Sequence, residues 1–231
     1  MIVLAIDTAS TLCAVCLWDA AQSRELGRAV EDIGKGHAER LMELIERALG
    51  EAGIGYDKVG GIAVSIGPGS FTGIRVGVSA ARGLALALGV PAHGVTTLSA
   101  IAEAARAKAP GRRIVAAIDA KRDELYAADH ASDGSVTAGP MIVRYDDVAS
   151  LAAGEPPVLA GSGASIVADR IEQAGGERPD ILDDHATTAD IAIYAALAAA
   201  DKSANSPPKP LYLRAPDARP QGGFALPRTD A

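Results

Sequence analysis

The chain has 231 residues, 48% hydrophobic but only 3% aromatic, with a formal net charge of -7. That length supports one large domain or two small ones, with a core built mainly from Ala, Val, Leu and Ile. The acidic balance disfavours direct binding to a phosphate backbone, although Arg106, Lys108, Arg112 and Arg113 form a local basic run.

The apolar start MIVLAIDTAS has no charged leader and is interrupted by Asp7, so a secretory signal is not expected. No apolar run reaches bilayer length, and a cytoplasmic location without membrane contact is the expectation. IVLAIDTA reads as a buried strand ending near Asp7. LCAVCLWDA is a second strand and QSRELGRAVED holds a third, with short turns that favour antiparallel pairing. CAVC is a CxxC, but residues three apart on a strand face opposite ways. Cys13 and Cys16 are therefore expected to be small buried residues, not a redox or metal pair. His37-Ala-Glu39 follows the cysteines, the reverse of the zinc-deaminase order, and no proline leads the pair.

GHAERLMELIERALGEAG repeats Leu41, Leu44, Ile45, Ala48 and Leu49 at helical spacing between glycines. VGGIAVSIG is the next strand. It runs into GPGSFTG, which lacks the lysine of a phosphate-binding Walker loop, and Thr72 stands where the dinucleotide fingerprint needs its third glycine. The residues fit a strand-to-helix corner, or an anion site made from backbone amides alone. In the helix that follows, Gly73, Gly77, Ala81 and Ala85 recur every fourth residue. Such a stripe admits a close backbone neighbour. Periodicity favours packing inside the domain over packing against a partner chain. VPAHGV is a short strand, and TLSAIAEAARA begins a connecting helix.

Then the pattern restarts. IVAAIDAK from Ile114 matches IVLAIDTA from Ile2 at Ile2/Ile114, Val3/Val115, Ala5/Ala117, Ile6/Ile118 and Asp7/Asp119. ELYAADHA, VTAGPMIVR, a short helix in YDDVASLAA, the strand PVLAGSGA and the helix SIVADRIEQAG complete a second copy. TTADIAIYAALAAADK is a final helix, with Thr187 or Thr188 expected as its N-cap. The expected division is 1–109, 110–214 and a flexible tail 215–231, with an extended segment packed by Leu211 and Tyr212 before that tail.

GPGSFTGIRVGVSAARGLALALGVPAHGVTTLSAIA, with LAIDTAST, HAERL and PLYLR, resembles the TsaB (YeaZ) family over nearly the whole chain to Arg214. That resemblance implies a duplicated actin-like, sugar-kinase-like (ribonuclease H-like) α/β fold with two mixed-sheet subdomains. It implies a non-catalytic subunit that supports TsaD in forming threonylcarbamoyladenosine next to the tRNA anticodon, with the ATPase TsaE completing the set and tRNA contacted indirectly. Docking is expected through the helices near 37–49 and 72–88, which tilts the small-residue stripe from self-packing toward interface. The interface residues expected are His37, Leu41, Leu44, Gly73, Arg75, Gly77, Ala81 and Arg82, a surface that also serves a homodimer when the chain is alone.

The resemblance to TsaD places its metal-binding histidines at Thr97 and Ile101, and Ile101 has no donor atom. No catalytic, metal or cofactor residues are expected. The loops DTAST (7–11) and DAKRD (119–123) lack the glycine that kinases of this fold use near phosphate, so Asp7 and Asp119 read as carboxylates binding nearby amides. AGSGA (160–164) partly resembles an adenosine loop. A small ATPase or kinase is the alternative function, and a metallopeptidase a third.

Overall fold

The computed structural model describes residues 1–201 and 206–214. The expected flexible tail, 215–231, lies outside the described residues. The described residues form two five-stranded sheets. The first contains β1 (Ile2–Asp7), β2 (Leu12–Asp19), β3 (Arg24–Asp32), β4 (Val59–Gly67) and β5 (Ala92–Thr96), in the order β3-β2-β1-β4-β5. The second contains β6 (Ile114–Asp119), β7 (Glu124–His130), β8 (Val136–Arg144), β9 (Val158–Ala160) and β10 (Ile181–Asp183), in the order β10-β9-β6-β7-β8. The two orders are the same pattern. In each, the first three strands pair antiparallel and the last two add in parallel. The matching sequences around Ile2 and Ile114 are the central strands β1 and β6.

Helices α1 (His37–Ala52) and α2 (Phe71–Leu88) cover one face of the first sheet. Helix α4 (Ala164–Gln173) and a 3-10 helix at Tyr145–Ala152 cover the corresponding face of the second. The other faces carry an exchange. Helix α3 (Thr97–Arg106) follows the first sheet but packs Leu98, Ile101 and Ala102 on Ile114, Ala116 and Ala128 of the second. Helix α5 (Ile191–Ala200) follows the second sheet but packs Ile191, Tyr194 and Ala198 with Val3, Ala5 and Cys16 of the first. Each half thus buries a helix of the other.

Strand alternation sorts these cores. Leu4 and Ile6 face α1 and α2, whereas Val3 and Ala5 face α5. Cys13 and Cys16 divide in the same way, one into each layer, and both are free thiols.

Three details depart from the sequence expectations. β10 was not foreseen, because its three residues are too short to show a period. The N-cap of α5 is Asp190, whose Oδ1 accepts the Ala192 N–H at 2.9 Å. Thr188 is unavailable for that task because its hydroxyl is bonded inward. The three arginines of the basic run also pair within the chain. Arg106 pairs with Glu103, Arg112 with Asp180, and Arg113 with Asp129 and the carbonyls of Leu151, Ala153 and Glu155.

Candidate partner interface

The glycine corner is filled by its own chain. The Ser70 N–H donates to the Ala9 carbonyl at 2.7 Å, and the Ser70 side chain caps α2 by accepting the Gly73 N–H at 3.2 Å. The Thr8 hydroxyl donates to the Gly73 carbonyl at 2.7 Å. A Cβ on Gly73 would lie 1.9 Å from the Thr8 carbonyl oxygen, and one on Gly77 would lie 2.4 Å from Thr8 Oγ1. Only glycine fits at either position. The corner is a close-packing device, and its Ser70 and Gly73 amides meet protein oxygens.

This geometry divides the residue set expected for docking into buried and exposed members. Gly73, Gly77 and Ala81 form the buried side of α2, against β1 and its following loop. His37, Leu41 and Leu44 form the buried side of α1, and His37 Nε2 lies 3.2 Å from the Leu12 carbonyl oxygen. Small-residue spacing locates a close approach but not the body that approaches, and here that body is the chain's own strand. Only Arg75 and Arg82 of the expected set are exposed.

Seating α2 so deeply leaves its opposite side outward. Phe71, Arg75, Ser79, Arg82 and Leu86 follow helical spacing along that side and all are exposed. Leu86 is 87% exposed and Phe71 43%, values unusual for such side chains. By length and composition α2 is also apolar enough to cross a membrane, with a mean hydropathy of 1.3 over 18 residues. Arg75 and Arg82 interrupt its apolar run, and its inward side packs on the first sheet.

Beside it, α1 presents Glu39, Met42, Glu43 and Glu46 outward. Glu31 accepts from Arg40 at 2.9 Å and also from Arg47, and these contacts hold its carboxyl below the usual carboxylate range. Arg40 pairs with Glu43 as well. The two helices therefore offer an acidic flank, an apolar strip and two arginines, Arg75 and Arg82, without carboxylate partners among the described residues. At the end of α2 lies a groove of about 810 Å³ lined by Arg82, Ala85, Leu86, Val90, Pro91 and Pro207.

Residues 27–164 match a family model described as TsaD: tRNA N6-adenosine threonylcarbamoyltransferase. The chain is 37% identical over 133 residues to tRNA threonylcarbamoyladenosine biosynthesis protein TsaB of Escherichia coli, an alignment covering 58% of this chain and 56% of that one. It is 36% identical over 219 residues to an uncharacterized protein of Mycobacterium tuberculosis, covering 94% of each. The crystal structure of YeaZ from Pseudomonas aeruginosa superposes with a TM-score of 0.72 at 30% identity, covering 85% of this chain and 90% of that one. This chain belongs to the TsaB/YeaZ family. Its match spans about half the length of the E. coli TsaB sequence. A ROK hexokinase from Thermus thermophilus superposes with a TM-score of 0.50 at 18% identity over 86% of this chain and 98% of that one, a likeness of fold alone. The duplicated actin-like, sugar-kinase-like α/β architecture is thus established.

In this TsaB-family chain both strand-end carboxylates are engaged locally. Asp7 accepts the Ala9 N–H at 2.9 Å and the Thr188 hydroxyl at 2.5 Å. Thr188 in turn lies 2.7 Å from the Tyr194 hydroxyl, and burial drives that phenol well above its ordinary pKa. Asp119 accepts the Lys121 N–H at 2.8 Å, the Lys121 ammonium at 2.5 Å and the Tyr145 hydroxyl at 3.0 Å. Burial pushes Asp119 up, but the Lys121 and Tyr145 contacts outweigh it and the carboxyl lies below its ordinary value. The AGSGA loop packs against β6. The Gly163 N–H donates to the Ala117 carbonyl at 3.0 Å, and a Cβ on Gly161 would lie 2.3 Å from that oxygen. Thr97 and Ile101 are both buried on α3. Among the described residues no three His, Cys, Asp or Glu side chains gather in a metal-binding group.

One structural feature of this surface has no signal in the sequence. Tyr212, expected only to pack the C-terminal segment, is 45% exposed and accompanies Arg75 and Phe71 on the outward side of α2. The pairing spans 137 residues, so no local pattern could announce it.

Proposed function

We propose that this chain is a non-catalytic subunit that docks on a TsaD-type catalytic subunit and supports threonylcarbamoyladenosine formation in tRNA. The observation that carries the reading is the outward side of α2, an apolar and arginine-bearing strip on a helix whose inward side is already fully packed. Exposed strips of this kind mark interaction sites. With α1 beside it, the surface is within reach of the roughly 800 Å² per partner of a standard interface. The names of the relatives supply the pathway, and the match to a TsaD family model supports a paralogue of the catalytic subunit.

On this reading the docking residues are Arg75, Arg82, Phe71 and Leu86, with Met42 and the α1 glutamates alongside. The catalytic subunit performs the transfer, an ATPase of the TsaE kind joins through the complex, and tRNA is contacted indirectly. The same surface closes a homodimer when the chain is alone, and the setting is cytoplasmic. No cofactor is assigned. The hexokinase-like fold raises the alternative of a nucleotide-binding enzyme, but the engaged state of Asp7 and Asp119 favours the docking role.

Co-purification with the catalytic subunit tests the proposal. Leu86→Asp combined with Arg82→Glu should abolish the complex while leaving the melting temperature unchanged. Full retention of the complex by that double variant would remove the docking surface from α2.

A further inference from the structure

Arg75 is held in an unusually prepared position. Its Nε donates to the Tyr212 hydroxyl at 2.6 Å. Its guanidinium carbon lies 3.7 Å from the Phe71 ring centre and 5.4 Å from the Tyr212 ring centre. Both distances are within cation–π range. The two rings are 5.2 Å apart at a 40° tilt. Tyr212 is itself fixed by its neighbours. The Leu211 N–H donates to the Ile66 carbonyl at 2.8 Å, and Arg214 donates to the Ala120 carbonyl at 3.4 Å and pairs with Glu124.

Packing on two rings restricts the Arg75 side chain before any partner arrives, so less rotamer entropy remains to be lost on binding. Nε is spent on Tyr212, whereas no described carboxylate pairs with the two terminal nitrogens. Those nitrogens form the edge that accepts a carboxylate through two parallel hydrogen bonds. α2 has no acidic residue of its own to compete. The two rings remain nearly half exposed, so they offer an apolar rim around the cation.

We infer that Phe71, Arg75 and Tyr212 form the anchor of the docking surface, and that it receives an aspartate or glutamate flanked by an apolar side chain on the partner protein. The inference rests on the proposed function, since the partner is the catalytic subunit named there. It makes the C-terminal segment part of the binding site. Leu211 and Arg214, on either side of Tyr212, are both tied to the body of the fold. Aromatic and arginine residues with this degree of order are the types that dominate interface energetics.

The test is titration calorimetry of the full-length chain against the purified catalytic subunit at two salt concentrations. Arg75→Ala, Arg75→Lys, Tyr212→Ala and Tyr212→Phe are compared with the wild type, each checked for an unchanged melting temperature. Arg75→Ala and Tyr212→Ala should each weaken binding by about tenfold or more. Arg75→Lys should also weaken it, by about fivefold, because an ammonium cannot present the paired edge. The wild-type affinity should fall with added salt, and Arg75→Ala should flatten that dependence, a change that a purely structural role would not produce. Wild-type binding with both alanine variants within twofold of it would overturn the anchor alone. No binding by the wild type would overturn the docking role and the anchor with it. If the alanine variants instead lose affinity for a single-stranded RNA oligonucleotide while keeping the catalytic subunit, the cluster is a base-stacking platform and the inference is wrong.

Discussion

The hydroxyl of Thr188 donates to the carboxylate of Asp7 at 2.5 Å, joining the end of the first strand to a residue 181 positions later. The bond lies beside α5, the helix that the second half lends to the first sheet. It therefore helps to lock the two halves together.

Thr188→Val keeps the shape and removes the donor. The buried Asp7 carboxylate then loses one of its two partners, and stability should fall by about 2 kcal/mol. Tyr194→Phe removes only the outer member of the chain of hydroxyls and should cost less. Urea unfolding of both variants measures the difference, and equal effects would contradict the ranking of Thr188 above Tyr194.

Gly73→Ala should destabilise the fold by about 3 kcal/mol, because the new methyl meets the backbone oxygen of Thr8. Gly83, on the exposed side of the same helix, would place an added Cβ with nothing within 4 Å. Gly83→Ala should therefore be neutral or stabilising by up to about 1 kcal/mol through helix propensity. Denaturation midpoints separate the two, and a tolerated Gly73→Ala would show that the corner can relax.

His130 is buried on β7. Burial first, and then the positive charge of Arg106, lower its pKa, against the opposing pull of Asp129, a hydrogen bond to the Ala128 backbone and Glu103. The unfolded chain therefore takes up the proton first, at the ordinary value of about 6.5. Stability should be full above that pH and should drop as pH falls toward the lower folded value. His130→Leu should flatten the drop that begins as pH falls below about 6.5. An unchanged slope in that variant would assign the acid sensitivity to other groups.

Burial raises the Cys13 thiol to about 11, with Asp7 adding to the effect, and burial raises Cys16 further still. Neither should form appreciable thiolate at neutral pH. Labelling of both by a thiol reagent should proceed only at the rate of unfolding. Rapid labelling of the native protein would show that β2 opens locally.

The architecture was legible where the sequence repeats itself. Ile2, Val3, Ala5, Ile6 and Asp7 recur as Ile114, Val115, Ala117, Ile118 and Asp119, and these are the central strands of matching sheets. The exchange of α3 and α5 was not legible. Helix α5 reads IAIYAALAAA, apolar on all sides, and such a helix does not reveal which sheet it covers. The stripe of Gly73, Gly77 and Ala81 was legible as a close contact, but its partner, Thr8, follows a different strand and only the fold brings it near. The outward strip was hidden for a related reason. Phe71, Arg75 and Leu86 are ordinary one at a time, and Tyr212 joins them from the far end of the sequence.

The most direct test of the docking role is modification of a tRNA substrate by the purified catalytic subunit, supplied with its threonylcarbamoyl donor, with and without this chain. The expected result is that efficient modification requires the wild-type chain, that the Leu86→Asp, Arg82→Glu double variant fails to supply the requirement, and that the chain alone produces none. Turnover by this chain in the absence of the catalytic subunit, or full modification without it, would contradict the docking role.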